Sequence, residues 1–279
     1  MSYEKQIQRE PGFLERIGLI GALLDVRWEP SPREVVEEMI RMASVGRGDV
    51  VYDLGCGDGR AVITAAKSIG ARGVGIDLDP IRIKESWENA SFDQVGHLVR
   101  FTKADLFKSE IGEATVLFIF LFPDVNLRLR PKLLSDLRPG TRVVSYCHHM
   151  ERWLPDHCVR MRSNYLYLWV VPANMSGRWE GTVEPDGRAP DIQLDLEQEF
   201  QKVSGRVSLD GKVFFVRSAP IDGDRFRFAG LDGPAGDMAL SGSVRGDEIK
   251  GMVRDGAFPD HVRTWTARRK GQTLVSLAR

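Results

Sequence analysis

The chain has 279 residues, enough for two domains that each bury a substantial core. Lys plus Arg and Asp plus Glu each number 39, so the formal net charge is zero, and cutting the chain at residue 173 leaves both parts balanced. This balance provides no bulk attraction to a phosphate backbone, so we expect no nucleic-acid partner.

The first predicted element is an N-terminal capping segment, residues 1–30. Its apolar run at residues 17–24 is too short to span a bilayer, and no small-residue cleavage site of a signal peptide follows it, although contact with a membrane surface stays open. The three cysteines, Cys56, Cys147 and Cys158, form neither a C-x-x-C pair nor a disulfide pattern. We therefore expect a cytoplasmic protein without a transmembrane segment.

Strands and helices alternate from residue 31 onward. Ser31 and Pro32 are expected to start the first helix, as its N-cap and first-turn residue. Strands are predicted near 49–54, 72–77, 98–102, 115–121 and 141–147, and helices near 60–69, 80–91 and 126–137. This alternation predicts an α/β fold with a parallel sheet covered on both faces. A turn at Ser163-Asn164 predicts a terminal antiparallel hairpin.

The turn after the first of these strands reads Asp53-Leu54-Gly55-Cys56-Gly57-Asp58-Gly59. A glycine-rich turn from strand to helix lets backbone N–H groups approach a ligand closely. Arg60 stands where a nicotinamide fingerprint would have its third glycine, and Asp53 would repel a pyrophosphate. A cationic sulfonium with an amino-acid tail suits that acid, and Asp77 is placed about twenty residues on for ribose hydroxyls. The pattern predicts S-adenosylmethionine as the cofactor.

Three ordered motifs resemble the signatures of class I S-adenosylmethionine-dependent methyltransferases. They are the glycine turn, the stretch Gly75–Pro80 and the stretch Ala104–Phe107. The resemblance implies a Rossmann-like sheet in which the first acid and the glycines hold the methionine part, the second acid holds the ribose, and the third lies beside the adenine amino group. The cofactor residues that it implies here are Asp53, Gly55, Cys56, Gly57, Asp77, Leu78, Asp105 and Leu106. We interpret Cys56 as a small residue tolerated in a tight turn, not as a nucleophile.

A narrower resemblance covers residues 26–171. The segment Trp28-Glu29-Pro30-Ser31-Pro32, the stretch Leu127–Leu134 and the stretch Pro139–Ser145 are similar to archaeal broad-specificity protein-lysine methyltransferases and to the mitochondrial enzymes that methylate the c-ring protein of ATP synthase. The resemblance implies a lysine acceptor. Two departures border the expected acceptor site: the family's aromatic-Val-Pro-Thr-Pro is Trp-Glu-Pro-Ser-Pro here, and Tyr146-Cys147-His148-His149 follows the fifth strand.

The acceptor is expected at the carboxyl ends of strands four and five. Enzymes that methylate amide or adenine nitrogens resemble one another in an Asn/Asp-Pro-Pro-aromatic motif there, whereas this chain has Leu121-Phe122-Pro123-Asp124. A lysine stem needs an apolar channel with aromatic faces, for which Phe120 is a further candidate, although the phenylalanines could equally belong to the core. The predicted catalytic residues are Trp28, Phe122, Tyr146 and His148, with His148 as a possible general base.

Two further side-chain groups near this site receive a simpler interpretation. Asp124 could orient an amine, but capping the following helix is the favoured role. His148, His149, His157 and Cys158 match no spacing of zinc ligands, so no metal is expected.

Beyond residue 176 the apolar residues recur with period two. Strands are predicted at 177–184, 191–198, 202–208, 212–218, 224–230, 236–244, 248–254 and 262–268. Eight sequential strands favour a closed barrel, because closure removes exposed edges. Gly177-Arg178-Trp179 and Trp265–Arg268 resemble lipocalin-like barrels. The interior is expected to be filled by Phe214, Phe226, Phe228 and Met238, with a ligand cavity as the alternative.

The predicted domains are therefore the capping segment 1–30, the methyltransferase domain 31–172 and the barrel 176–279. The favoured function is S-adenosylmethionine-dependent N-methylation of protein lysine. One alternative is a small-molecule methyltransferase whose barrel binds an apolar substrate, and another is a non-catalytic cofactor-binding protein whose barrel is an interaction module. The sequence carries no signal for an oligomeric state.

Overall fold

The computed structural model describes residues 29–184, 192–231, 238–255 and 262–270. Trp28 and the rest of the predicted capping segment up to that residue lie outside this range. The described chain forms two compact units. The first holds the residues up to Leu129 together with Arg142–Trp169, and the second holds Arg130–Thr141 and the residues from Val170 onward.

The first unit is built on a seven-stranded sheet of order β3-β2-β1-β4-β5-β7-β6. The strands are β1 (Val50–Leu54), β2 (Arg72–Asp77), β3 (Val99–Lys103), β4 (Val116–Ile119), β5 (Arg142–Tyr146), β6 (His157–Met161) and β7 (Asn164–Val170). The first five are parallel, and β6 pairs antiparallel with β7. The predicted α/β fold class is confirmed. Because the strand order reverses between β1 and β4, a cleft is expected at their carboxyl ends.

Four helices accompany the sheet, namely α1 (Arg33–Met42), α2 (Arg60–Ile69), α3 (Pro80–Phe92) and α4 (Pro123–Asp136). Helix α1 buries a stripe of apolar residues at helical spacing, Val35, Val36, Met39 and Ile40. Its predicted N-cap is wrong. Pro32 is the N-cap, and its carbonyl accepts bonds from the N–H groups of Val35 and Val36 at 3.0 and 3.1 Å.

Two other boundaries differ from the sequence-based prediction. The hairpin turn is formed by Arg162-Ser163 and not by Ser163-Asn164, because Met161 pairs with Asn164 and Arg162 takes a left-handed φ of 55°. Helix α4 begins at Pro123, so Asp124 lies in its first turn, where a carboxylate favours the positive end of the helix dipole.

The second unit contains a closed barrel of eight antiparallel strands. They are β8 (Gly177–Val183), β9 (Ile192–Glu199), β10 (Lys202–Leu209), β11 (Lys212–Asp222), β12 (Arg225–Leu231), β13 (Met238–Arg245), β14 (Glu248–Asp255) and β15 (Val262–Lys270). β8 pairs with both β9 and β15, which closes the ring. The predicted barrel is confirmed, because the period-two pattern and the turn pairs were strong local signals.

The barrel core is packed with large side chains. Trp179, Phe228 and Trp265 are at most 1 % exposed. Phe214, Phe226 and Met238, which were expected inside, belong to the same buried cluster as Phe228. These side chains make the filled interior the better description of this part of the chain.

The segment that leads into the barrel is bound by Gln198, a buried side chain of β9. The Gln198 amide accepts a bond from the Met175 N–H at 2.6 Å and donates to the carbonyls of Ala173 and Phe200 at 3.0 and 2.7 Å. Because buried backbone groups must be paired, this amide fixes the start of β8.

None of the helices within the described ranges is long and apolar enough to cross a membrane.

Candidate functional site

The turn from β1 to α2 is a glycine-dependent structure. Gly55, Gly57 and Gly59 have φ values of 80°, 53° and 78°, a region that side chains with a Cβ rarely adopt. The N–H groups of Gly55 and Cys56 donate to the Ile76 carbonyl at 2.8 and 3.0 Å. The turn is thereby fixed against β2, with its backbone facing the carboxyl edge of the sheet.

Asp77, the last residue of β2, is bonded to this turn. Its Oδ2 accepts the Gly57 N–H at 2.8 Å, and its Oδ1 accepts the Asp79 N–H at 2.9 Å. Burial raises the pKa of the Asp77 carboxyl, and the two amide bonds oppose that change. Each oxygen keeps a further lone pair with which it could accept a ribose hydroxyl.

Asp53, on β1, is a buried acid in the same pocket. It is only 8 % exposed, and within the described ranges no hydrogen bond reaches its carboxyl group. Burial raises its pKa to about 7, with smaller contributions from the charges of Asp77 and Asp58. A cation in this pocket would favour the charged form of Asp53.

The pocket is lined by backbone and side chains of the glycine turn, α1, β4 and the segment before α1, namely Glu29, Pro30, Ser31, Met39, Asp53, Gly55, Cys56, Gly57, Asp58, Arg60, Ala61, Ile119 and Phe120. Arg60 closes one side. Its Nη2 lies 2.6 Å from Asp58 Oδ2, and its Nη1 donates to the Ser31 carbonyl at 2.9 Å. Arg60 therefore joins the segment before α1 to the glycine turn.

A second cavity, of about 290 Å³, adjoins the first and shares Glu29, Pro30 and Phe120 with it. Its other lining residues are Pro32, Leu121, Phe122, Tyr146, Cys147, His148 and Asn164. The rings of Phe120 and Tyr146 are 4.8 Å apart, and the Asn164 amide lies 3.4 Å from the Tyr146 hydroxyl. The cavity therefore has an aromatic wall, and polar groups stand at its rim.

His148 is held in place by its backbone. Its carbonyl accepts bonds from the Ser145 hydroxyl at 2.6 Å and from the buried Asn126 amide at 3.3 Å, while its N–H donates to the Tyr146 carbonyl at 2.9 Å. Burial, and next the charge of His149, lower the pKa of His148. A neutral imidazole can accept a proton.

The sequence-predicted residues fall into three groups. Asp53, Gly55, Cys56 and Gly57 line the first pocket, and Phe122, Tyr146 and His148 line the second cavity. Asp77 bonds to the glycine turn. Trp28 lies outside the described residues. The binding and catalytic roles of all these residues stay predictions.

The remaining cofactor candidates lie just beyond β2 and β3. Leu78 is 39 % exposed and follows Asp77 directly. Asp105 Oδ1 accepts the Phe107 N–H at 2.9 Å, a bond that shapes the loop in which Leu106 lies. Asp105 Oδ2 lies 3.5 Å from the Lys108 ammonium.

Several lining residues were missed as site candidates from the sequence. Glu29 and Pro30 border both cavities, although they carry no local chemical signature. Asn164 was interpreted only as a turn residue, and Asn126 and Ser145 had no signal at all. Among the described residues no group of three or more His, Cys, Asp or Glu side chains is arranged to hold a metal ion.

The pocket around the glycine turn fits S-adenosylmethionine. A Cβ at Gly55 would come within 3.0 Å of the Leu121 side chain, so the close approach of backbone to ligand requires glycine there. In the part of the chain that the structure describes, no hydrogen-bonding group neutralises the buried Asp53, which suits the cationic methionine part. Asp77 presents its carboxylate at the neighbouring strand end.

Known proteins with similar sequences are lysine methyltransferases. The ANTKMT methyltransferase domain family matches residues 53–157. A protein-lysine N-methyltransferase of Saccharolobus islandicus is 39 % identical over 151 residues, which are 52 % of this chain and 94 % of that protein. The human lysine N-methyltransferase that is named for the c-ring protein of ATP synthase is 34 % identical over 128 residues, 46 % of this chain and 54 % of its own length. The match therefore spans about half of that enzyme.

A solved structure extends the comparison to the cofactor. The RNA methyltransferase from Salinibacter ruber in complex with S-adenosyl-L-homocysteine is 47 % identical, with a TM-score of 0.52, over 53 % of this chain and 96 % of that one. S-Adenosyl-L-homocysteine is what S-adenosylmethionine becomes after losing its methyl group, so this structure supports the predicted cofactor. The chain belongs to the protein-lysine N-methyltransferase family and is an S-adenosylmethionine-dependent methyltransferase.

Proposed function

We propose that this methyltransferase acts on the side-chain amine of lysine in a protein. The observation that carries the proposal is the cavity of about 290 Å³ beside the cofactor pocket, with Phe120 and Tyr146 in its wall. The aliphatic stem of lysine can pack along aromatic faces, and those faces also stabilise an ammonium and its methylated products. The family match to protein-lysine methyltransferases supports the same acceptor.

The shared lining of the two cavities supports an in-line transfer. Phe120 and Pro30 border both spaces, so an amine in one can approach a methyl group presented from the other. S-Adenosylmethionine, when bound, supplies a methyl group on a positively charged sulfur. Such a displacement needs an aligned nucleophile and the exclusion of water more than it needs a metal or a covalent intermediate.

His148 is the proposed proton acceptor. A lysine side chain is an ammonium at neutral pH and has no lone pair with which to attack until it loses a proton. The lowered pKa of His148 keeps its imidazole neutral near pH 7, and its backbone is anchored by Ser145 and Asn126. The N–C bond forms as the C–S bond breaks, and the amine's proton passes to the imidazole and from there to water.

The charges around the two cavities favour a cationic acceptor over a phosphate-bearing one. The lining carries the carboxyl groups of Glu29, Asp53 and Asp58, and the guanidinium of Arg60 is already bound to Asp58. A polyanion would be repelled here, and the net charge of zero gives it no bulk attraction to the rest of the chain. The Salinibacter protein described as an RNA methyltransferase nevertheless makes RNA the acceptor class to test against protein.

The test uses the purified protein with S-adenosylmethionine labelled in its methyl group and an extract of methyltransferase-depleted cells. The reaction is divided into three parts, treated with protease, with ribonuclease, or with neither, before acid precipitation. We expect precipitable label that protease removes and ribonuclease leaves. Label that only ribonuclease removes would favour RNA, and label confined to the solvent-soluble fraction would favour a small-molecule acceptor.

A further inference from the structure

Glu29 is an acidic residue at the junction of the two cavities, and the predicted catalytic machinery does not use it. It lines both the cofactor pocket and the acceptor cavity. Where related lysine methyltransferases carry valine in the corresponding motif, this chain places a carboxylate. Its function therefore needs an explanation specific to this protein.

The position of Glu29 is fixed by the residues that follow it. Pro30 and Pro32 restrict the backbone, and the Ser31 carbonyl accepts a bond from Arg60 Nη1 at 2.9 Å. Pro32 then caps helix α1. The segment from Glu29 to Pro32 is thus tied to the glycine turn on one side and to a helix on the other, which limits how far the carboxylate can move from the cavities.

The charge of Glu29 is not neutralised by any nearby cation. Within the described part of the chain it has no ion-pair partner, and the one guanidinium in the lining of the two cavities, Arg60, is held by Asp58. Its field reaches the opposite wall. Burial raises the pKa of the Cys147 thiol, and the negative charge of Glu29 raises it further.

The aromatic wall and this carboxylate together suit one kind of side chain, a long apolar stem that ends in a cation. Phe120 and Tyr146 provide faces for the stem, and Glu29 stands where the stem would reach the cofactor pocket. A neutral amide or a hydroxyl would gain little from the charge, and a phosphate would be repelled.

We infer that Glu29 is a specificity-determining residue that recognises the positive charge of the acceptor amine as it enters the cavity. This inference rests on the proposed lysine acceptor. Glu29 would bind the ammonium and its methylated products, whereas the proton is lost to His148 before transfer. Its removal should therefore raise KM for the acceptor more than it lowers kcat.

The test measures binding without turnover. Two peptides that differ only in lysine against norleucine are titrated into the protein saturated with S-adenosyl-L-homocysteine. Norleucine keeps the stem and lacks the charge. The proteins compared are wild type, Glu29→Gln, Glu29→Asp as the conservative variant, and Glu37→Gln as the control. Glu37 is a half-exposed residue of α1 that pairs with Arg33 at 2.9 Å and lines neither cavity.

We expect wild type and Glu37→Gln to prefer the lysine peptide, and Glu29→Gln to lose about tenfold of that preference, the size of one charge-assisted contact. Glu29→Asp should recover part of it. An unchanged lysine preference in Glu29→Gln overturns the inference. If wild type forms methyl-lysine and Glu29→Gln behaves like it, only the role of Glu29 fails; if wild type forms no methyl-lysine, the proposed acceptor fails.

Discussion

The Gly57 N–H donates a 2.8 Å hydrogen bond to Oδ2 of Asp77, and this bond joins two motifs that lie twenty residues apart. The glycine turn and the end of β2 are therefore one structural unit. Asp77 has two functions to serve, because the carboxylate that is expected to accept ribose hydroxyls also holds the turn against which the methionine part would lie.

Replacing Asp77 by alanine should weaken cofactor binding. Loss of charge-assisted hydrogen bonds costs about 1.5–3 kcal/mol, or roughly ten- to a hundredfold in affinity. Calorimetric titration with S-adenosylmethionine measures the change, and circular dichroism checks that the fold is intact. Asp79→Ser is the control, because Asp79 caps helix α3 by accepting the Ile81 N–H at 2.8 Å, a role that serine can fill. An Asp77→Ala protein with unchanged affinity would remove the ribose role.

Cofactor binding should become tighter as the pH rises towards 7. In the free protein the pKa of Asp53 is raised to about 7, so below that pH the carboxyl is protonated. A cationic ligand favours the carboxylate, and binding must then release a proton, at a cost of up to tenfold in affinity per pH unit. Above pH 7 the dependence should level off. Calorimetry in two buffers with different ionisation enthalpies counts the released protons.

The matched variant for this effect is Asp53→Asn, which cannot ionise. It should bind S-adenosylmethionine weakly and show no proton release that depends on residue 53. Proton release that persists unchanged in Asp53→Asn between pH 5 and 7 would assign the titration to another group.

The glycine turn should not tolerate a methyl group at residue 59. Gly59 has a φ of 78°, and a Cβ there would lie 2.7 Å from the ring of Phe101 and 3.0 Å from the Ser86 Cβ. Left-handed backbone strain and overpacking together should lower the free energy of unfolding of Gly59→Ala by about 2–4 kcal/mol. Denaturant titration measures it. Gly48→Ala, where a Cβ meets nothing within 4 Å, should stay close to wild type, and equal stabilities for the two variants would contradict the packing argument.

The sequence specified most of this fold because its signals are local. Alternating apolar residues and turn pairs placed the eight barrel strands within a few residues of their observed ends, and the glycine turn identified the strand that carries Asp53. The hairpin turn was misplaced by one residue because Arg162 takes a left-handed conformation that is usual for Asn or Gly and rare for Arg. Glu29 was missed because its neighbours, Cys147 and His148, are more than a hundred residues away in the chain, and no local pattern brings them together.

A chain that ends at Ala173 should still bind the cofactor, since every residue matched to a cofactor role lies before that point. It should also be less stable than the full chain. Residues 130–141 group with the barrel strands: Arg130 lies 5.5 Å from the Phe200 ring, and Gly140 packs against Gly223. Thermal unfolding and calorimetric titration of the two chains separate these effects. A truncated chain that folds and fails to bind S-adenosylmethionine would show that the barrel completes the site.

The identity of the methylated residue tests the central claim most directly. Protein labelled with radioactive S-adenosylmethionine is hydrolysed in acid, and its amino acids are separated alongside mono-, di- and trimethyl-lysine standards. We expect the label to run with methylated lysine and to be absent when Asp77→Ala replaces the wild-type protein at limiting cofactor. Label found only on arginine, glutamine or histidine derivatives, or in a nucleotide, would contradict the assignment of lysine as the acceptor.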